Sequence, residues 1–209
     1  MNSLPLGPRL VLVGLFTALP APLVSAALPQ TSAPPFSSEL VLSLDSRQSR
    51  VHWTLGTTLH TVHGTFAFKN GRLHVDPRSG KVSGEIVVFA TSGDSGNDTR
   101  DKKMHKEVLE SARYQDVIFR PDRVDGKIAS PGTFAVQLHG ILVLHGSEHE
   151  LTVPVQAELA GDHWTASAKF SVPFIDWGLK NPSSFLLKVN HAVEIALELK
   201  GSFEISAAP

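Results

Sequence analysis

An all-β fold is what this sequence predicts: about eight to ten antiparallel strands forming a barrel or a sandwich, with one short helix. Apolar and polar residues alternate through most of the chain after residue 38, the period of a strand with one buried face. Gly, Asn, Asp and Ser punctuate the alternating runs and connect them as hairpins. Only residues 97–112 break the alternation, with a composition rich in Lys, Glu, Met and Leu.

In chain order, Val51, Trp53 and Leu55 alternate with His52, Thr54 and Gly56. Val62, Gly64, Phe66 and Phe68 follow, and Asn70-Gly71 stands before Leu73 and Val75. Asn-Gly tolerates the positive φ of a two-residue turn, so residues 62–76 are expected to form a hairpin. Residues 81–91 read as a strand, and 117–120 as a short one extending toward Val124. Residues 133–145 present Phe134, Val136, Leu138, Leu142 and Leu144 on one face. Gly146-Ser147 then turns the chain into Leu151, Val153, Val155, Ala157 and Leu159. Two more alternating runs cover 164–174 and 193–199. Within 97–112, Met104, Val108 and Leu109 fall at helical spacing, and Asn97 or Asp98 can cap the N-terminus. This helix is expected to cover one end of the sheet structure.

The 209 residues suit one folded domain, placed at 40–206. A net charge of −1 gives no basic excess for nucleic acid, so no nucleic-acid partner is expected. The absence of cysteine excludes disulfides, thiolate zinc sites and a cysteine nucleophile. Residues 1–26 read as a cleaved signal peptide: Arg9, an apolar run over 10–19, helix-breaking Pro20 and Pro22, then Val24-Ser25-Ala26. The Pro- and Ser-rich residues 27–39 form a flexible lead-in. A periplasmic or secreted protein is therefore expected.

Catalysis finds little support. There is no Gly-x-Ser-x-Gly and no Gly-rich phosphate loop, and Gly93-Asp94-Ser95-Gly96 reads as a turn before the helix cap. No enzyme activity and no cofactor are expected. Ten histidines raise the alternative of a divalent metal. Asp101 and His105 share a helical face, Asp94 and Asp98 lie close in sequence, and His60 and His63 flank a strand start. The spacing is non-specific, two residues an odd number apart point to opposite faces of a strand, and no metal ligands are assigned.

Five segments in order resemble a known family. They are Leu44-Asp45-Ser46 with Ser49 and Val51; Thr61-Val62-His63-Gly64-Thr65-Phe66; Arg100-Asp101 leading the helix; Tyr114 with Val117-Ile118-Phe119; and Leu142-Val143-Leu144-His145-Gly146 before Leu151-Thr152-Val153-Pro154-Val155. The order resembles that of the YceI family over about residues 40–205. The resemblance implies a lipocalin-like antiparallel barrel of about eight strands with one short helix. It also implies export to the periplasm and an elongated apolar cavity for a polyisoprenoid chain or isoprenoid quinone. Departures from the family pattern fall in loops and at the rim: Gln48, Gln115, Ser147-Glu148-His149 and 93–97. From strand phase, the candidate lining is Trp53, Leu55, Phe66, Phe68, Phe134, Val136, Leu138, Phe170, Val172 and Phe174, with Met104 on a lid or rim. His145 is expected to fix the turn before Gly146, and Trp177 to sit at the rim or plug the core. A homodimer and transient membrane contact are both compatible with this reading. The alternatives are a metal-binding barrel, or a purely structural or stress-response barrel that is filled and acts only through its surface, both without a lipid ligand.

Overall fold

The computed structural model describes residues 38–129 and 131–206. The expected signal peptide and most of the lead-in lie outside the described residues. The strands are β1 (Glu39–Leu44), β2 (Arg50–Gly56), β3 (Thr61–Phe66), β4 (Phe68–Val75), β5 (Val82–Phe89), β6 (Asp116–Asp125), β7 (Gly132–Leu144), β8 (Ser147–Ala160), β9 (His163–Val172) and β10 (Val193–Ser206). They pair antiparallel in the order β1-β4-β5-β6-β7-β8-β9-β10, and β10 pairs back onto β1 to close the ring. β2 pairs with the first half of β10 and with β3. Thus β1 with β2, and β3 with β4, each act as one long strand. The result is a closed antiparallel barrel of eight strands with one short helix, which leaves no open sheet edge over most of its height.

Two local devices interrupt the long strands. Between β1 and β2, the Asp45 carboxylate accepts the Arg47 and Gln48 backbone N–H groups at 2.9 and 3.2 Å, an Asx turn that kinks the chain. Ser49, 2% exposed, accepts the Lys200 N–H at 3.0 Å and donates to the Lys200 carbonyl at 3.3 Å, which carries the ladder to β10 across the kink. Between β3 and β4, Ala67 donates its N–H to Ser92 Oγ at 2.8 Å and accepts from Phe89 N–H at 3.0 Å.

The hairpin expected over 62–76 does not form. β3 and β4 run in line, with Asn70 and Gly71 inside β4 and a register shift between Phe68 and Asn70. The turns instead lie at 57–60 and 76–80, the second closed by the Gly80 N–H to the Asp76 carbonyl at 2.9 Å. A hairpin needs its two arms to pair with each other, whereas residues 61–75 pair with β2 and β1 on one side. The Asn-Gly signal marks a bulge, its other use within a strand.

The β7–β8 turn is built on His145 and Gly146, with φ of 53° and 78°, the two-residue loop with both residues left-handed. The His145 ring packs 4.3 Å from that of Tyr114, and its Nε2 lies 2.7 Å from Glu110 Oε2. A methyl on Gly146 would meet Tyr114 Cε1 at 2.6 Å. Gly146→Ala is therefore expected to cost about 2 kcal/mol, read as a lower urea midpoint with an unchanged slope.

The helix is shorter than expected. α1 (Asp98–Lys103) is capped by the Asn97 side chain, which accepts the Arg100 N–H at 3.0 Å. It passes into a π-helical turn, Met104–Val108, with Leu109 N–H bonded to the Met104 carbonyl at 2.9 Å. Glu110 then takes φ of 44° and ends the helix. Two apolar clusters make up the interior of the barrel, one toward each end. The lower one includes Leu40, Val75, Val82, Val136, Leu159, Trp164 and Phe203. The upper one, beneath the helix, includes Val108, Leu142, Leu144, Val172, Phe174 and Leu179.

Candidate functional site

Above the packed lower end the barrel is hollow, and the upper cluster forms part of the wall. A cavity of about 540 Å³ runs from Val51, Phe68, Val155 and Leu199 up to the helix. This lies within the range of small-molecule sites, about 300–1,000 Å³. Its walls come from alternate residues of the strands, since only every second side chain of a strand points inward. Leu151, Val153 and Val155 of β8 and Val193, Ile195, Leu197 and Leu199 of β10 show this spacing.

Of the residues expected from strand phase, Trp53, Leu55, Phe66, Phe68, Leu138, Phe170, Val172 and Phe174 lie on the wall, together with Met104. Phe134 and Val136 do not. Val136 belongs to the lower cluster and Phe134 packs against it. They face inward as their phase requires but sit below the cavity. β7 runs over 13 residues, and alternation fixes the face of a side chain, not its height.

The cavity is apolar except at one end. Thr57 and His60 of the β2–β3 turn, and Asn97, Thr99, Arg100 and Lys103 at the start of the helix, gather at the mouth. Pro182, Leu187 and Val189 of the segment between β9 and β10 complete the rim. Reasoning from periodicity gave the helix at this rim but missed Thr57, His60, Pro182, Leu187 and Val189, because turns and irregular segments carry no period. The polar composition of 97–103 was the signal for the helical part.

Trp53 is the aromatic center of the wall. It is 5% exposed and faces Gly64 directly across the β2–β3 pair. A methyl on Gly64 would lie 2.4 Å from the indole and 2.4 Å from the Asp94 carbonyl oxygen, so only glycine lets the ring lie flat against β3. The Phe66 ring stands 6.5 Å away. The indole Nε1 is buried with no hydrogen-bond partner. An unpaired buried donor costs about 1–3 kcal/mol.

The helix is held over the mouth by polar contacts. The Asp101 carboxylate accepts the Ser95 N–H at 3.1 Å and the Ser95 hydroxyl. Arg100 Nε donates to Ser95 Oγ at 2.7 Å, and its Nη2 to the Ser95 carbonyl at 2.8 Å. Burial, the largest single influence on Asp101, pushes its pKa up. The hydrogen bonds from Ser95 and the Asn97 backbone, with the Arg100 charge, outweigh it and hold the carboxyl below its ordinary value. His105 spans Ser111 Oγ and the Gly93 carbonyl, both at 2.9 Å. Asp101 and His105, raised above as metal ligands, thus spend their polar atoms on the loop and helix end. Among the described residues, no three His or carboxylate groups converge on one point. Trp177 stacks on His149 with centroids 4.1 Å apart and packs against the upper cluster, off the cavity wall.

Among solved structures, the chain resembles BcnA of Burkholderia cenocepacia, with a TM-score of 0.62 and 17% identity over 75% of this chain and 98% of that one. It also resembles a polyisoprenoid binding domain from Saccharophagus degradans implicated in plant cell wall breakdown, with a TM-score of 0.60 and 17% identity over 77% and 97% of the two chains. The YCEI protein of Campylobacter jejuni aligns with a TM-score of 0.53 and 15% identity over 65% and 82%. At these identities the likeness shows the fold. No match is found among curated protein sequences. The family profile described as the YceI-like domain matches residues 42–201, and the chain belongs to the YceI-like family.

Proposed function

We propose that this protein is an exported, non-enzymatic lipid-binding protein that holds an isoprenoid chain, a polyprenoid or an isoprenoid quinone, inside the barrel. The observation that supports it most is the cavity: apolar along its walls and polar only at its mouth. An isoprenoid tail placed there is withdrawn from water, which gains about 25 cal/mol per Å² of apolar surface, and no chemistry is required of the protein. A barrel acting only through its surface has no need of such a space. The description of the Saccharophagus degradans relative as a polyisoprenoid binding domain points the same way. The apolar, small-residue-ended N-terminus supports export to the periplasm.

Trp53 makes the reading testable. It is the only tryptophan of the three on the cavity wall, and a quinone ring quenches indole fluorescence on contact. Titration with a long-tailed ubiquinone is expected to give saturable quenching at one ligand per chain, reversed by a polyprenol competitor. Trp53→Phe keeps an aromatic side chain but loses the indole. It should remove most of the quenching signal, while the barrel still retains a polyprenol on gel filtration. The absence of saturable quenching, with no polyprenol retained on gel filtration either, overturns the reading.

A further inference from the structure

Surface hydrophobicity is concentrated at one place on this barrel. Five large apolar side chains stand exposed among the described residues: Leu59, Phe89, Phe185, Leu186 and Ile205. Three of them, Phe185 at 95%, Leu186 at 81% and Leu59 at 74%, are by far the most exposed. Phe89 is only 37% exposed and has Lys69 Nζ 5.4 Å above its ring. Ile205 lies near the end of β10, at the opposite end of the barrel.

The three prominent side chains are displayed by built turns. Ser184 N–H donates to the Leu187 carbonyl at 2.7 Å and Leu187 N–H to Ser184 Oγ at 3.1 Å, which places Phe185 and Leu186 at the tip between them. Thr57 N–H donates to the His60 carbonyl at 3.0 Å, which places Leu59 at the tip of the β2–β3 turn. The two turns are tied together. Thr58 N–H bonds to the Lys188 carbonyl at 3.0 Å, and Lys188 N–H to Thr58 Oγ1 at 3.3 Å. Both turns also supply the cavity mouth, through Thr57, His60 and Leu187. The apolar tips therefore project from the rim of the opening.

The charge around them is positive. Segments 57–60, 97–107 and 180–191 hold Arg100, Lys102, Lys103, Lys106, Lys180 and Lys188 against Asp98, Asp101 and Glu107. Six cations face three carboxylates in a chain whose net charge is −1. Of these carboxylates, Asp101 is engaged by Ser95, and Glu107 by Lys180 at 2.7 Å.

Exposed apolar tips at the mouth of an apolar cavity, carried with segments in which lysine and arginine outnumber carboxylates, are the pattern of an interfacial membrane contact. We propose that the barrel mouth docks on the surface of an anionic lipid bilayer, with Phe185, Leu186 and Leu59 inserted among the headgroups and the lysines on lipid phosphates. Docked in this way, the cavity opens onto the lipid and a tail can pass between bilayer and barrel without crossing water. The purpose rests on the carrier reading, whereas the docking itself stands on the surface alone.

The test is flotation of the mature protein with vesicles of phosphatidylethanolamine and phosphatidylglycerol, and separately with phosphatidylcholine alone. The wild-type chain is expected to float with the anionic vesicles and to do so less at high salt. The double variant Phe185→Ser/Leu186→Ser alters neither core nor cavity wall. It should float about tenfold less while melting at the wild-type temperature and still binding ubiquinone supplied in detergent. Lys102→Glu/Lys106→Glu/Lys188→Glu should lose the preference for anionic vesicles. A wild-type chain that stays in the aqueous fraction, or a double variant that floats as well as wild type, overturns the proposal. So does a wild-type dimer that ignores vesicles and that the double variant dissolves into monomers, since the tips then cover a second copy. Flotation without any quinone or polyprenol binding upholds the docking and fails the carrier reading.

Discussion

Ala168→Phe should abolish retention of an isoprenoid ligand and leave the barrel folded. Ala168 is 5% exposed and points inward from β9, paired with Val155 of β8 on one side and Leu197 of β10 on the other. All three stand on the cavity wall. A ring added here enters the hollow rather than another side chain, so the usual cost of overpacking, about 1–3 kcal/mol, is largely avoided. Ligand affinity is expected to fall by about a hundredfold or more, because the ring occupies the space the tail would fill. Phe134→Ala is the converse. Phe134 packs into the lower cluster, away from the cavity. It should lower stability by about 3 kcal/mol and leave ligand affinity unchanged. Urea unfolding and quinone titration of the two variants separate the packed end of the barrel from the hollow one.

Asp101→Ala should release the helix from the mouth. It removes the acceptor of the Ser95 N–H and hydroxyl, and leaves Arg100 to hold the loop without its counter-charge. Hydrogen bonds to a charged partner contribute about 1.5–3 kcal/mol, and Asp101 is partly exposed, so a loss of about 1.5 kcal/mol is expected. The larger effect should be on ligand release, about tenfold faster, because Met104 and Lys103 close the cavity from this helix. The same contact sets the response to acid. The Asp101 pKa is lowered in the folded protein, so its contribution is complete above the ordinary carboxylate value, about 4, and is lost as pH falls through the folded value. Asp45 is lowered in the same direction, by hydrogen bonds from the Gln48 side chain and the Arg47 backbone. Ligand release should therefore accelerate as pH falls below about 4. In Asp101→Ala it should be fast throughout. Stopped-flow release of quinone as a function of pH distinguishes the two.

The strands were legible because one buried face imposes a period of two. Trp53, Leu55, Phe170 and Val172 were placed on the inner face by that rule alone, and the structure has them there. Position along the barrel axis was not legible, and Phe134 and Val136 show why. Height depends on how neighboring strands stagger, which no local pattern encodes. Asn70-Gly71 misled for a related reason. The residues suit a turn or a bulge equally, and the choice was made by long-range pairing of 61–75 with β1 and β2. The mouth was hidden because Thr57, Leu187 and Val189 come from turns whose places are fixed by bonds such as Asn190 N–H to the Gly56 carbonyl, 2.9 Å. Asp45 and Ser49 stood in the sequence only as part of a family-like motif; the kink they make and its link to β10 needed the partner Lys200.

The central claim is that the hollow holds an isoprenoid lipid. Native mass spectrometry of the purified protein, before and after extraction with organic solvent, tests it most directly. The account predicts one isoprenoid-sized mass per chain that leaves on extraction and returns on incubation with a polyprenol or a long-tailed quinone. A bare polypeptide mass that stays bare after incubation with both would contradict it.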